Sequence, residues 1–194
     1  VDGRYTIQAR IQSGKSFKVI TIPKKFPKNV LKFNKKLTIG FDPRLHTESK
    51  LNFLFNIKNI SLKSVNKNLV DIVWSKRPKE LIKPFYSLSK KNTGISSEEK
   101  ILEVKKFFNK NKVDYLLVTA PENIAWILNI RGYDSTFSPI PNARLLMNKN
   151  GDIHFFANSK KITFIKKNLS KKIIFHKENK IEKILTNLYK NKIF

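Results

Sequence analysis

Histidines 46, 154 and 176 are the strongest potential bases and metal ligands in the chain. They stand far apart, and none has a His, Asp or Glu partner at a familiar ligand spacing such as His-Glu-x-x-His. His46 precedes an expected helix, where an imidazole caps or packs, and His154 and His176 fall within expected strands. The absence of Cys removes disulfides, thiolate metal sites and cysteine nucleophiles, and fits a reducing compartment. No Gly-x-Ser-x-Gly elbow gives a serine the setting of a nucleophile. The six glycines form neither a phosphate-binding loop nor a dinucleotide fingerprint. Most of the fourteen acidic residues stand singly in turns or beside Lys, and Glu98-Glu99 suits helix capping better than acid-base work. No residue is assigned a catalytic, cofactor-binding or metal-ligating role.

Two clusters stand out. Trp126, Asn129, Arg131, Gly132 and Asp134 place a large aromatic, a fork-shaped cation, a flexible turn and a carboxylate within nine residues. Such a group orders a loop against something: bracing of the loop itself and a domain interface are equal readings, with substrate contact a lesser third. An Arg131-Asp134 pair in an exposed turn would contribute only about 0 to 1 kcal/mol, whereas a partly buried one can hold an interface in place. Trp74 and Arg77-Pro78 form the other cluster, where ring and guanidinium could stack, although termination of a helix against a core explains them as well.

The elements that must position these residues alternate between strand and helix. A short helix is expected in 2–12, a strand at 17–22 closed by Pro23, a strand at 37–41 before the Asp42-Pro43 turn, a helix from Thr47 and a strand at 60–65. Asn68 reads as the N-cap of a helix through Trp74, ended by Arg77-Pro78. Periodicity is then lost to a Lys, Pro and Ser-rich stretch, expected as a linker over 81–93. Beyond it, Ser96 and Glu99 have capping-box spacing before a helix carrying Ile101, Val104 and Phe108 on one face. A buried strand at 113–118, a helix from Pro121, and a hairpin of 144–147 with 153–156 across Asn150-Gly151 follow. A Lys-rich helix near 160–168, a strand at 173–176, a helix through Ile181 and Leu188, and the opening of a further strand at 192–194 complete the expectation. The fold class is α/β: two domains with mixed sheets flanked by helices.

Apolar residues make up 40% of the 194 and aromatics 11%, which takes the chain out of the disordered class. No run approaches the roughly 20 apolar residues of a bilayer span, and Val1 opens into a polar Asp-Gly turn. No membrane partner or export signal is expected, and the cytoplasm is the default location. Because the first residue is not Met, the natural protein is expected to begin upstream. The net charge of +26 favours a polyanion partner, and a basic module for nucleic acid or anionic surfaces is the alternative function. Two features oppose it. Only six of the 40 basic residues are Arg, the residue that reads phosphates and guanines in a plane, and Lys, Asn and Ile supply 77 of the 194 residues, so the excess looks like compositional bias on solvated faces. Nucleic acid is therefore not the expected partner.

In order and spacing, the segments DGRYTIQA, IGFDPRLHT, NLVDIVWSKRP, TGISSEEKI and APENIAWILNIRGYDSTFSPIPNA resemble the three-domain Xaa-Pro aminopeptidases. The resemblance spans nearly the whole chain. It implies two creatinase- and prolidase-type N-terminal domains: 1–80 as the later part of the first, incomplete, and 94–194 as most of the second without its last elements. It further implies a C-terminal pita-bread catalytic domain, not contained here, that holds two divalent metal ions, commonly manganese, and hydrolyses the bond before proline with a metal-bound water. On this reading the chain is inert by itself, and its parent is a cytoplasmic metallo-aminopeptidase. Its partners would be its own catalytic domain, proline-containing peptides and a second copy in a homodimer, and its role substrate access and assembly.

Overall fold

The computed structural model describes residues 1–80, 82–169 and 172–194 and divides into two compact units, 1–78 and 79–194. In the first, α1 (Thr6–Ser13) and α2 (Pro27–Val30) precede β1 (Leu37–Phe41), α3 (Glu48–Phe55), β2 (Ile60–Ser64) and α4 (Leu69–Val73). Thr47 caps α3 by accepting from Lys50 N–H, and Asn68 caps α4 by accepting from Val70 N–H, each satisfying an otherwise orphaned donor. β1 and β2 pair in parallel from Leu37 opposite Ile60 to Phe41 opposite Ser64. The strand expected at 17–22 does not form; only an isolated bridge between Asp2 and Ile22 remains of it, since Pro23 ends the run before a ladder can grow. Leu51 is the one buried hydrophobic side chain among the described residues of this unit, and Leu69, Val70, Ile72 and Val73 of α4 are all exposed.

The second unit holds β3 (Tyr86–Ser87), α5 (Lys90–Thr93), α6 (Ser97–Asn111), β4 (Tyr115–Val118), α7 (Pro121–Leu128), β5 (Ile130–Arg131), β6 (Arg144–Asn148), β7 (Ile153–Phe156), β8 (Ile173–His176) and α8 (Ile181–Asn187). Segment 81–93, expected as a linker, is part of this unit over its described residues. Phe85 is fully buried, and Tyr86 and Ser87 pair antiparallel with Arg131 and Ile130. A lone buried aromatic directly after a proline has no period for a sequence pattern to register. The main sheet has the order β4-β6-β7-β8, antiparallel except for the parallel β7/β8 pair. Strand alternation sends Val118, Leu145, Met147, Ile153, Phe155 and Ile173 into one core with Phe108 of α6 and Ile124, Ile127 and Leu128 of α7. Burying each such side chain contributes about 1.5–3 kcal/mol, so this unit carries most of the hydrophobic stabilisation. Ser96 and Glu99 form the capping box at the start of α6. The Lys-rich helix near 160–168 is instead a run of turns, where Asn158 Oδ1 accepts from Lys160 N–H and Thr163 Oγ1 donates to Lys160 O, local bonds that compete with a helical ladder.

Candidate functional site

The turn that leaves α7 gathers the residues singled out above. The last carbonyls of a helix are short of intrahelical donors, and at this end three successive ones accept from side chains, Ala125 O and Trp126 O doing so beside the Asn129 N–H that closes the helix. Arg131 Nη1 donates to Ala125 O (3.0 Å), Lys100 Nζ to Trp126 O (3.0 Å) and Ser97 Oγ to Ile127 O (3.0 Å). Cations at this terminus also complement the helix dipole. Asn129 takes the left-handed conformation that ends the helix (φ 51°), one that Asn tolerates through local hydrogen bonding. Its side chain donates to Thr93 Oγ1 (3.2 Å) and Ile95 O (2.8 Å) and accepts from Lys100 Nζ (2.5 Å), which ties α5, α6 and α7 together.

Lys100 is only 4% exposed and lies over the Trp126 ring at 4.6 Å. Burial, and then repulsion from Arg131, lower its pKa below the ordinary lysine value, as expected for a cation held by carbonyls and a ring without a carboxylate. Trp126 itself remains half exposed.

Beyond β5 the loop folds back on itself. Gly132 N–H donates to Pro139 O (3.2 Å), and a Cβ at Gly132 would lie 2.8 Å from Ile140 O and 2.9 Å from Pro141 Cα. Close backbone approach, not a special φ, therefore requires glycine here. The expected Arg131-Asp134 pair does not form: Arg131 donates to Ala125 O of α7 and to Ile130 O. Asp134 instead accepts from Asn142 N–H (2.6 Å) and from Lys161 Nζ (2.7 Å). Lys161 is fully buried and also pairs with Glu80. Burial pulls its pKa down, but the hydrogen bonds it donates to Asp134 and Glu80, with their negative charge, outweigh it, and the net shift is upward. Lys161 O accepts from Phe85 N–H (2.7 Å), so one residue anchors both the entry to β3 and the loop after β5. At the loop's tip Phe137 is 96% exposed.

All five singled-out residues thus share one turn. Lys100, Lys161 and Glu80 complete it and were missed. Lys100 lies four residues before Val104 on the inward face of α6, which is a readable signal, but Lys161 has none among 34 lysines. Trp74 and Arg77 do approach, with the guanidinium 5.7 Å from the ring and a 2.7 Å ion pair from Arg77 to Asp71. The histidines are not all isolated. Parallel pairing of β7 and β8 brings His154 Nδ1 to 2.9 Å from His176 Nε2. Burial, then the His154 charge, lower the His176 pKa.

Among the described residues no three His, Asp or Glu side chains are grouped to hold a metal ion, and the two bonded imidazoles do not make the carboxylate-rich donor set of a two-metal centre. These residues do not fit such a centre. No helix among the described residues is long and apolar enough to cross a membrane.

Fold and turn together define a class: a small mixed α/β domain, backed by helices on its core face, whose polar side chains order one loop. The chain belongs to the Creatinase/Prolidase N-terminal domain family, which matches residues 76–194. It is 32% identical over 141 residues to a probable Xaa-Pro aminopeptidase P of Sordaria macrospora, covering 69% of this chain and 23% of that protein. It is 27% identical over 179 residues to aminopeptidase P1 of Lotus japonicus, covering 88% and 27%. Among solved structures, an X-prolyl aminopeptidase from Caenorhabditis elegans, described as a cytosolic enzyme with a di-nuclear active site, superposes with a TM-score of 0.85 at 25% identity. That match covers 98% of this chain and 32% of the worm chain. The chain spans about a quarter of the length of the curated relatives it matches.

Proposed function

We propose that this polypeptide is the non-catalytic N-terminal region of a cytoplasmic Xaa-Pro aminopeptidase, built of two successive domains that shape access of proline-containing peptides to a metal-dependent catalytic domain and contribute to assembly. The observation that carries this reading is the match of 98% of the chain, through both units, to one third of an X-prolyl aminopeptidase. The braced turn adds to it. Asp134, bonded to the buried Lys161 and to Asn142 N–H, holds the base of the 132–142 loop while Phe137 projects into solvent, an arrangement that suits a rigid rim contacting something beyond its own domain. Manganese is the metal expected of the catalytic partner, and a homodimer the expected assembly. The cytoplasmic location follows the description of the worm enzyme as cytosolic.

The test compares the 194-residue chain with the longest natural polypeptide that contains it, each supplied with manganese(II) and an Xaa-Pro-Xaa peptide. Release of the N-terminal residue is expected from the longer polypeptide alone. Release by the 194-residue chain, or none from the longer one, overturns the reading.

A further inference from the structure

Parallel pairing sets His154 of β7 opposite Ile174 and His176 of β8 opposite Phe156, so the two imidazoles are diagonal neighbours on one face of the sheet. Strand alternation sends Ile153, Phe155 and Ile173 to the core on the other face. His154 Nδ1 and His176 Nε2 face one another at 2.9 Å, with the rings inclined by 16° and their centroids 5.0 Å apart. The surroundings hold them there. Fully buried Phe156 lies against the His176 ring at 5.1 Å, and fully buried Leu146 of β6 stands opposite His154. Both histidines remain partly exposed, and β8 lies at an end of the main sheet, where solvent and ions reach it.

We propose that His154 Nδ1 and His176 Nε2 form a chelating site for one divalent first-row ion that favours right-angled coordination, copper(II) or nickel(II), and that the bound ion clamps the terminal strand β8 to β7. Metal–imidazole bonds of about 2.0–2.1 Å drawn to nitrogens 2.9 Å apart enclose an angle of about 90°. That is the angle between adjacent ligands of a square-planar or octahedral ion, whereas tetrahedral zinc requires nitrogens about 3.3 Å apart. Imidazole suits copper and nickel, and copper(II) stands highest in the general order of affinity. Binding requires both facing nitrogens to be bare. In the neutral pair one ring donates its N–H to the other, so the donating ring shifts its proton to its outer nitrogen, and two metal–nitrogen bonds replace one hydrogen bond. No proton leaves the neutral pair. Among the described residues no third His, Asp or Glu joins these two, so water completes the coordination shell. Because the ladder and Phe156 already fix both rings, little ordering remains to oppose binding. The inference stands whether or not a longer polypeptide hydrolyses peptides.

The test titrates the 194-residue chain, labelled with nitrogen-15 in its histidines, with copper(II) chloride near neutral pH. At a small fraction of one equivalent, the His154 and His176 ring resonances are expected to broaden before those of His46. Electron paramagnetic resonance of the saturated site should show coupling to two imidazole nitrogens. His154→Gln and His176→Gln should each weaken nickel(II) binding about 100-fold or more in calorimetry, because the second ring binds intramolecularly. Each should also abolish the rise in Tm that nickel(II) gives the parent chain, and His46→Gln should change neither. Broadening centred on His46 or on Val1 at the amino terminus overturns the proposal on the unaltered chain, whatever the variants do to folding. Unchanged nickel(II) affinity in both Gln variants overturns it as well.

Discussion

Replacing Lys161 by Met removes the fully buried cation that joins Glu80, Asp134 and, through its carbonyl, Phe85. Glu80 is half exposed and loses little, within the 0 to 1 kcal/mol range of surface pairs. Asp134, with its side chain only 9% exposed, keeps the Asn142 N–H but is left otherwise uncompensated. Breaking a buried pair from one side costs about 3–5 kcal/mol, and the surviving hydrogen bond places Lys161→Met near the lower end, at about 3 kcal/mol. For a unit of the size of 79–194, each kcal/mol lowers Tm by about 4 °C, so a fall of about 12 °C is expected. Thermal unfolding followed by Trp126 fluorescence in a Trp74→Phe background isolates the second unit. Lys161→Met with Asp134→Asn should be less destabilised than the sum of the single variants, by about 2 kcal/mol. The sign with pH follows from the raised pKa: the stabilisation is fully present below the ordinary lysine value of 10.5 and is lost as pH rises through the higher folded-state value. A Tm loss under about 4 °C together with additive variants would refute the claim that this cation organises the loop.

Two further outcomes follow from the same geometry. Gly132→Ala forces a Cβ to 2.8 Å from Ile140 O and should cost about 1–3 kcal/mol as overpacking, whereas Gly3→Ala, with nothing within 4 Å, should stay within about 0.5 kcal/mol of the parent in denaturant titration. The Ser96 N–H, then Lys90, hold the Glu99 pKa down to about 2 from its ordinary 4.5. Its contribution to α6 is therefore present above pH 4.5 and lost as pH falls toward 2, and Glu99→Gln should flatten that acid limb in circular dichroism.

Much of the scaffold is legible locally. The α6 capping box, the Asn150-Gly151 hairpin, the caps of α3 and α4 and the alternation of the main strands each depend on residues within four or five positions of one another. The expectations that failed needed distant information. The presumed linker contains Phe85, whose burial depends on a core that includes Phe155 of β7; the expected helix at 160–168 yields to turns in which Asn158 and Thr163 side chains bond the backbone of Lys160. At the turn, composition pointed to Trp126, Asn129, Arg131, Gly132 and Asp134 but supplied the wrong ion pair, because Arg131 finds the Ala125 carbonyl six residues back while Asp134 finds a lysine 27 residues on.

By itself the amino-acid sequence determines where helices and strands begin, which faces are apolar, that the chain is strongly basic, and which family it resembles. These follow from backbone capping, periodicity and residue order, all short-range or directly readable. Tertiary structure alone decides which of the many lysines become buried and that His154 meets His176. The reason is physical: charge pairing, desolvation and strand-edge exposure depend on distances between residues far apart in the chain, and those distances do not exist until the sheet has closed over its core.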